Sequence, residues 1–539
     1  MPKNNATENQ YFVPEAEASL KAYFGRVREG QPNIYETPFA EGESTEELLS
    51  GWKETLVSIK DKWPSLWEFE EDLETKVGPL SVMKPLAERM GDVDAYYDDI
   101  LLSSTEIRKP ALERVTREFS ALGGMRMRNQ ILTVNKMKTS TNSGSPFFSK
   151  RRDVILDTVP CQVWKEGQAV RQALPSNVMK NAAAVIGWRG QEGGPSEEDV
   201  KQRVVWMFPF AVNVVELSVY QPLIEGVQRY NLVPAWVSME AVDERITRMF
   251  DTKSSSDLIV CTDFSRFDQH FNGDLQDAAR SILSKILSPV GGTDRWLYDV
   301  FPIKYMIPLC LDLNITKTGK HGMASGSGGT NADETLAHRA LQYEAAINRK
   351  VILNPNSQCL GDDGILTYPG ITVEDVVESY SSHGQLMNVD KQYSSTQDCV
   401  YLRRWHHTDF RIDGICVGVY STLRALGRMR YQERFMKWDA IEDKGVSGPE
   451  MVELRYLSIL ENVKWHPLRD DFARYCMKRD KFRLGLDLPG FLPNIKFKAR
   501  KAIDYMPEFL GYTKSLQARG LNPAEGIENW WIVKFLRSV

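Results

Sequence analysis

Residues 359–368 read Cys359-Leu-Gly361-Asp362-Asp363-Gly364-Ile-Leu-Thr-Tyr368. Two short apolar runs flank a glycine-aspartate-aspartate-glycine quartet, the composition of a tight β-hairpin with both aspartates at its tip. About a hundred residues earlier, Asp257-Leu-Ile-Val-Cys-Thr262 is an apolar, β-branched run suited to a buried strand, and it ends at Asp263. A strand and a hairpin of one sheet can bring the three aspartates together. Clustered carboxylates repel each other, so keeping them ionised calls for cations, and hard oxygen ligands of this kind suit Mg²⁺ or Mn²⁺. Two such ions about 4 Å apart serve an in-line phosphoryl displacement, one at the attacking hydroxyl and one at the leaving oxygens. The carboxylates therefore point to nucleotidyl transfer.

Working outward, Asp263-Phe-Ser-Arg-Phe-Asp268 sets a second aspartate five residues after the first. Met323-Ala-Ser325-Gly326-Ser-Gly-Gly-Thr330 is a glycine-rich loop, and Thr330-Asn331-Ala-Asp333 has the form of a capping box opening a helix through Ala345. A further helix is predicted from about Leu275 to Leu287. The glycine-rich loop lacks the Lys-Ser/Thr of an NTPase phosphate loop and the third glycine of a dinucleotide fingerprint. No HExxH is present, and no G-x-S-x-G elbow with plausible partners, so metalloprotease and serine-hydrolase chemistry are set aside.

The chain has 539 residues, 42% hydrophobic and 26% charged, which predicts several subdomains around a large buried interior. With 67 Lys+Arg against 72 Asp+Glu the net charge is -5, so a polyanionic partner needs a local basic groove rather than bulk basicity. The seven cysteines are scattered and never spaced as CxxC, the pattern of a reducing compartment without a disulfide framework. Cys399, His406, His407 and Cys416 are too irregularly spaced for a zinc site to be expected. The start, Met1-Pro-Lys-Asn-Asn5, is polar, so no secretory leader is expected. The longest apolar stretch, Val204 to Val215, contains Pro209 and Asn213 and falls short of the ~20 residues that cross a bilayer, so no membrane insertion is expected.

The three acidic and glycine-rich strings, in this order, resemble motifs A, B and C of viral RNA-dependent RNA polymerases. The resemblance implies that Asp263, Asp362 and Asp363 hold two catalytic ions, Mg²⁺ or Mn²⁺. It implies that Ser325, Gly326, Thr330 and Asn331 face the nucleotide, with Asp268 and Asn331 reading the ribose 2′-hydroxyl. That pairing makes physical sense, because an aspartate accepts and an asparagine donates, satisfying a group that a deoxynucleotide lacks. Lys201-Gln-Arg203-Val-Val-Trp206 resembles motif F, whose basic side chains neutralise the incoming triphosphate. Lys391, in Asn388-Val-Asp-Lys-Gln392, falls where motif D carries a lysine that protonates the leaving pyrophosphate. Tyr401-Leu-Arg403-Arg404 resembles motif E, which supports the nascent strand. Thr141-Asn142-Ser143-Gly144-Ser-Pro-Phe147 resembles motif G at the template entrance.

Over its whole length the chain resembles picobirnavirus polymerases, with partitivirus enzymes next. This implies an α+β, mostly helical, closed right hand whose palm is an antiparallel sheet backed by helices. The implied divisions are an N-terminal extension (1–70), fingers (71–255 and 275–322), palm (256–274 and 323–415), and thumb with C-terminal tail (416–539). The implied activity is primer-independent RNA synthesis from rNTPs on an RNA template, for transcription and replication of a double-stranded RNA genome. The implied partners are template and nascent RNA, rNTPs and a capsid protein, in the virion interior and the host cell cytoplasm. Arg424, Arg428, Arg430, Arg434 and Lys437 are candidates for a channel wall binding RNA phosphates. Trp530 and Trp531 are expected to anchor the chain end rather than to stack an initiating nucleotide.

Overall fold

A computed structural model describes residues 9–438, 445–506 and 523–539. Helices predominate, with small sheets between them, as an α+β chain requires. The chain divides into two compact units. One comprises Met1–Gly30, Pro85–Trp188 and Val204–Cys399, the other Gln31–Lys84, Arg189–Arg203 and Val400–Val539. Each unit has its own hydrophobic core.

The second unit shows why the tryptophan-rich N-terminal region is more than an extension. Ser44 and Glu47 form a capping box that opens the helix Thr45–Leu56, which buries Leu48, Leu49, Trp52 and Leu56 along one stripe. Trp52 Nε1 then donates to Thr422 Oγ1 at 2.8 Å. Glu70, fully buried, accepts from the hydroxyls of Ser421 and Thr422, from the backbone N–H groups of Thr422 and Leu423, and from His466 Nε2. Segments from opposite ends of the sequence thus build one core. The chain end belongs to it too: Ile532, Val533 and Leu536 are buried, and Arg469 lies over the Trp531 ring. Trp531 is an anchor, as expected.

The first unit carries the acidic and glycine-rich strings Asp263–Asp268, Ser325–Asn331 and Gly361–Asp363. Strand β1 (Ile259–Thr262) is buried along its whole length, which is why its run is continuously apolar rather than alternating. It pairs antiparallel with β3 (Asp363–Leu366) on one side and β4 (Tyr393–Ser395) on the other, and β2 (Gln358–Leu360) pairs with β3 at the edge. The helices α1 (Phe210–Tyr230), α2 (Gly273–Ile286) and α3 (Thr330–Asn348) belong to the same unit, and α3 packs on α2 and on the helix Lys109–Glu118. A second four-stranded sheet runs in the order Lys201–Met207, Ala184–Gln191, Leu309–Asp312, Ile315–Lys317. Among the described residues no helix is long and apolar enough to cross a membrane.

The start of α3 differs from expectation. Asp333 does not close a capping box; Gly329 is the N-cap and makes no side-chain cap bond. Asp333 is instead fully buried in an ion pair with the equally buried Lys304 at 3.0 Å, and accepts from the hydroxyls of Tyr220 and Tyr305 at 2.7 and 2.6 Å. A buried ammonium demands a counter-charge more strongly than a helix end demands a cap.

Candidate active site

The hairpin predicted from the sequence is present. Leu360 pairs with Asp363 across a two-residue turn, Gly361-Asp362, in which Gly361 takes φ +58°, the conformation a II′ turn needs at its first position. Only Asp362 is therefore at the tip; Asp363 is the first residue of β3. Gly364 lies opposite Thr262 in the β3–β1 ladder, so one further step sets Asp363 opposite Asp263. Cross-strand neighbours of this kind have Cα atoms about 4.5–5.5 Å apart. Asp263 and Asp362 are exposed and Asp363 is half-buried, so the three carboxylates gather at one open end of the sheet.

Helix α3 holds the hairpin. Thr335 Oγ1 accepts from the Gly361 N–H at 3.0 Å, and His338 Nδ1 donates to the Gly361 carbonyl at 2.8 Å. Burial pushes the His338 imidazole down to about 4, so the ring is a neutral donor near neutrality. A Cβ on Gly364 would lie 2.6 Å from His338 Cε1, which is why β3 carries glycine there. Gln342 Nε2 donates to the carbonyls of Gln358 and Ile365 at 2.9 and 3.2 Å, bracing both strands. Residues 331, 335, 338 and 342 share one helical face. That polar stripe on a largely buried helix was the available signal for Thr335, His338 and Gln342, none of which was singled out from the sequence.

Asp268 lies on the short helix Phe267–His270, where its carbonyl accepts from the Met323 N–H at 2.8 Å. Its carboxylate meets Glu334, another residue missed from the sequence. Burial first, then Asp268 and Asp362, hold the Glu334 carboxyl well above the usual carboxylate range, so Glu334 supplies the proton that the pair shares. Asn331 is exposed at the head of α3, and its Oδ1 accepts from Trp236 Nε1 at 2.8 Å. Trp236 thereby turns the amide so that Nδ2 faces the hairpin, 3.6 Å from where a Cβ on Gly361 would stand.

The loop preceding α3 is pinned on two sides. Gly328 N–H donates to Glu216 Oε1 at 3.2 Å and Ser327 Oγ bonds the other carboxyl oxygen; Thr330 Oγ1 donates to the Ala324 carbonyl at 3.2 Å. Ser325 Oγ lies 3.4 Å from the Trp206 N–H, and a Cβ on Gly326 would fall 1.6 Å from the Trp206 carbonyl oxygen. Only glycine permits that approach.

The remaining predicted residues divide between exposed groups and groups spent on the fold. Lys391 is exposed on the turn Val389–Lys391. Lys201 and Arg203 are exposed on one face of their strand, and Gln191 Oε1 fixes Arg203 through Nε at 2.7 Å. Arg403 sits in a turn with φ +58° and reaches Glu192, whereas Arg404 is turned inward onto Asn462 O and Oδ1, both at 3.1 Å, and over Tyr420. Burial alone would raise the Glu192 carboxyl, but Arg424, Arg428 and Arg403 around it hold it down at about 2. Arg424 is thus a structural counter-ion, and Arg430 caps the Ala40 carbonyl, so neither is a bare channel charge. Asn142 is half-buried; Ser143 is buried with Oγ accepting from the Ser149 N–H, and Gly144 (φ +60°) would clash with the Phe208 carbonyl if it carried a Cβ. Ser143 and Gly144 shape their loop, leaving Asn142 as its accessible polar side chain among the three.

No three His, Cys, Asp or Glu side chains among the described residues converge into a ready metal cage. The donors at the sheet end are hard carboxylate oxygens with solvent access, and the Glu334 carboxyl beside them is held above the usual range by its burial first and by Asp268 and Asp362 second. That set fits Mg²⁺ or Mn²⁺ completed by water and substrate oxygens, and does not fit a closed zinc site.

Residues 124–419 match a family model described as viral RNA-dependent RNA polymerase. The chain belongs to that family. A potential RNA-dependent RNA polymerase of human picobirnavirus (strain Human/Thailand/Hy005102/-) is 58% identical over 98% of both chains. The crystal structure of the RNA-dependent RNA polymerase of a human picobirnavirus superposes with a TM-score of 0.92 at 57% identity, covering 98% of each chain. That of an insertion-loop deletion mutant gives 0.91 at 54% identity, again over 98% of each. The polymerase therefore has the right-hand fold expected from its motifs, and its activity is RNA-directed RNA synthesis.

Proposed function

We propose that Asp263, Asp362 and Asp363 hold two divalent ions, Mg²⁺ or Mn²⁺, at the end of the β1–β3 ladder, where the polymerase joins rNTPs along an RNA template. The observation that carries this reading is the register that sets Asp363 opposite Asp263, with Asp362 on the adjoining turn. When bound, the ions supply activation of the attacking 3′-hydroxyl and neutralisation of the leaving pyrophosphate. The chain supplies the rest. Asp268 accepts from the ribose 2′-hydroxyl and Asn331 Nδ2 donates to it; a deoxynucleotide leaves both unpaired. Ser325, Gly326 and Thr330 shape the loop against which the nucleotide lies. Lys201 and Arg203 bind the triphosphate, Arg203 in bidentate fashion, and Lys391 gives its proton to the departing pyrophosphate. Asn142 and Arg403 contact template and nascent RNA, while Ser143, Gly144 and Arg404 hold the backbone in shape beside them.

In this reading residues 71–255 and 275–322 are fingers, 256–274 and 323–415 palm, and 416–539 thumb with C-terminal tail. Synthesis starts without a primer and serves a double-stranded RNA genome, in the virion interior and the host cytoplasm, with a capsid protein as partner. The test is incorporation of rNTPs by purified Asp362→Ala protein. Loss of a metal ligand is expected to cut turnover by about a thousandfold or more, each ~1.4 kcal/mol of lost transition-state stabilisation costing tenfold. Near-normal incorporation with Mg²⁺ or Mn²⁺ would overturn the assignment.

A further inference from the structure

Gln392 follows Lys391 directly and is buried. Its place in the sheet gives it a task. The β4–β1 ladder sets Tyr393 opposite Cys261 and stops there. One step on, the main chain of residues 391 and 392 leaves the sheet to form the Val389–Lys391 turn. The backbone of Asp263 would then lack a neighbour on that side. The Gln392 side chain fills the gap: Oε1 accepts from the Asp263 N–H at 2.7 Å, and Nε2 donates to the Asp263 carbonyl at 3.0 Å. A carboxamide that bonds both backbone groups of one residue stands in for a paired strand. The same Nε2 also donates to the Asn388 carbonyl at 2.9 Å, at the base of the turn that carries Lys391.

Two consequences follow. The N–H and C=O of Asp263 are fixed from one direction, so the Cα–Cβ bond that aims its carboxylate is fixed as well. The Lys391 turn and Asp263 are also linked through one side chain, with a second link where Ser265 N–H donates to the Leu386 carbonyl at 3.0 Å. We propose that Gln392 is a positioning residue that sets the Asp263 carboxylate for metal and couples it to the Lys391 turn. This rests on the reading of Asp263 as a metal ligand.

The test uses the full-length polymerase as wild type, Gln392→Leu, Gln392→Asn and Asp263→Asn. Mn²⁺ binding is measured by electron paramagnetic resonance without RNA or nucleotide, alongside melting temperature and the kcat and KM for rNTP. Outer partners of metal ligands typically contribute about 10–100-fold in metal affinity or activity. Gln392→Leu, which keeps the bulk and loses the amide, is expected to weaken Mn²⁺ binding about tenfold or more and to lower kcat similarly, with KM for rNTP changed by no more than about threefold. Gln392→Asn, whose shorter amide reaches one of the two Asp263 groups, is expected to fall between, and it carries the comparison if the leucine variant does not fold. Wild-type Mn²⁺ affinity in both Gln392 variants, with binding lost in Asp263→Asn, overturns the inference alone, even if their melting temperatures fall. Wild-type affinity in Asp263→Asn overturns the underlying reading of Asp263.

Discussion

Gly326→Ala is a one-carbon test of how closely the loop proposed to face the nucleotide must approach the strand Lys201–Met207. The added Cβ would lie 1.6 Å from the Trp206 carbonyl oxygen, whereas contacts under 3.0 Å are essentially never seen for real Cβ atoms. Loop and strand must therefore part by about 1.4 Å, and close-packed interiors transmit such a shift rather than absorb it. Neither wall yields easily. Trp206 is fully buried, with its ring 4.3 Å from His321 and 5.3 Å from Tyr96, and the loop is tied to Glu216 through Gly328. Overpacking of this sort costs about 1–3 kcal/mol, which a domain with about 5–15 kcal/mol of stability survives. Activity is more sensitive, since a misplacement of about 1 Å costs on the order of a hundredfold in rate. Steady-state rNTP incorporation is the assay, with Gly91→Ala as control because a Cβ there meets nothing within 4 Å. The expected result is a folded Gly326→Ala protein with kcat reduced about a hundredfold and an unaltered Gly91→Ala. A Gly326→Ala enzyme within about twofold of wild-type kcat would refute the reasoning.

Other consequences can be measured independently. Asn331→Ala is expected to narrow the preference for rNTP over dNTP, and Trp236→Phe, which frees the Asn331 amide to flip, to move it the same way; an unchanged ratio would remove Asn331 from sugar reading. Glu334→Gln keeps a donor of the same size toward Asp268 and is expected to retain most activity, whereas Glu334→Ala leaves Asp268 unsupported and is expected to lose at least about tenfold in kcat/KM. The acid limb tests Glu192, whose carboxyl is held at about 2 in the fold against an ordinary 4.5. A lowered folded value means stabilisation that is complete above 4.5 and is lost as the pH falls from there toward 2. Melting temperatures over that window are expected to fall more steeply for wild type than for Glu192→Gln, and parallel curves would show that the arginines do not depend on this carboxylate.

What could be read from the sequence follows from how local each signal is. The hairpin, the buried strand before Asp263 and helix α2 were all legible because turn composition and apolar runs act over a few residues. The meeting of Asp263 with Asp362 and Asp363 is expected from a strand and a hairpin sharing one sheet, and the register supplies the pairing that the sequence does not give. Long-range partners were not legible. Trp52 finds Thr422 across 370 residues, so a region expected as an extension is part of a core. Asp333 has the spacing of a capping residue, yet Lys304 recruits it, and nothing near position 333 announces a buried ammonium. Arg404 and Ser143 have the chemistry of RNA contacts but are spent on Asn462 and on the Ser149 N–H. Glu334 was passed over because a lone glutamate inside a helix carries no signal until Asp268 is known to face it.

The central claim, that the carboxylates at the end of the β1–β3 ladder gather the catalytic ions, is tested most directly by anomalous diffraction from crystals of the polymerase soaked with Mn²⁺ and an rNTP. The account predicts two manganese peaks about 4 Å apart, bounded by Asp263 and Asp362 with Asp363 beside them, and their loss in Asp362→Ala crystals. Manganese bound elsewhere, with no peak touching Asp263 or Asp362, would contradict it.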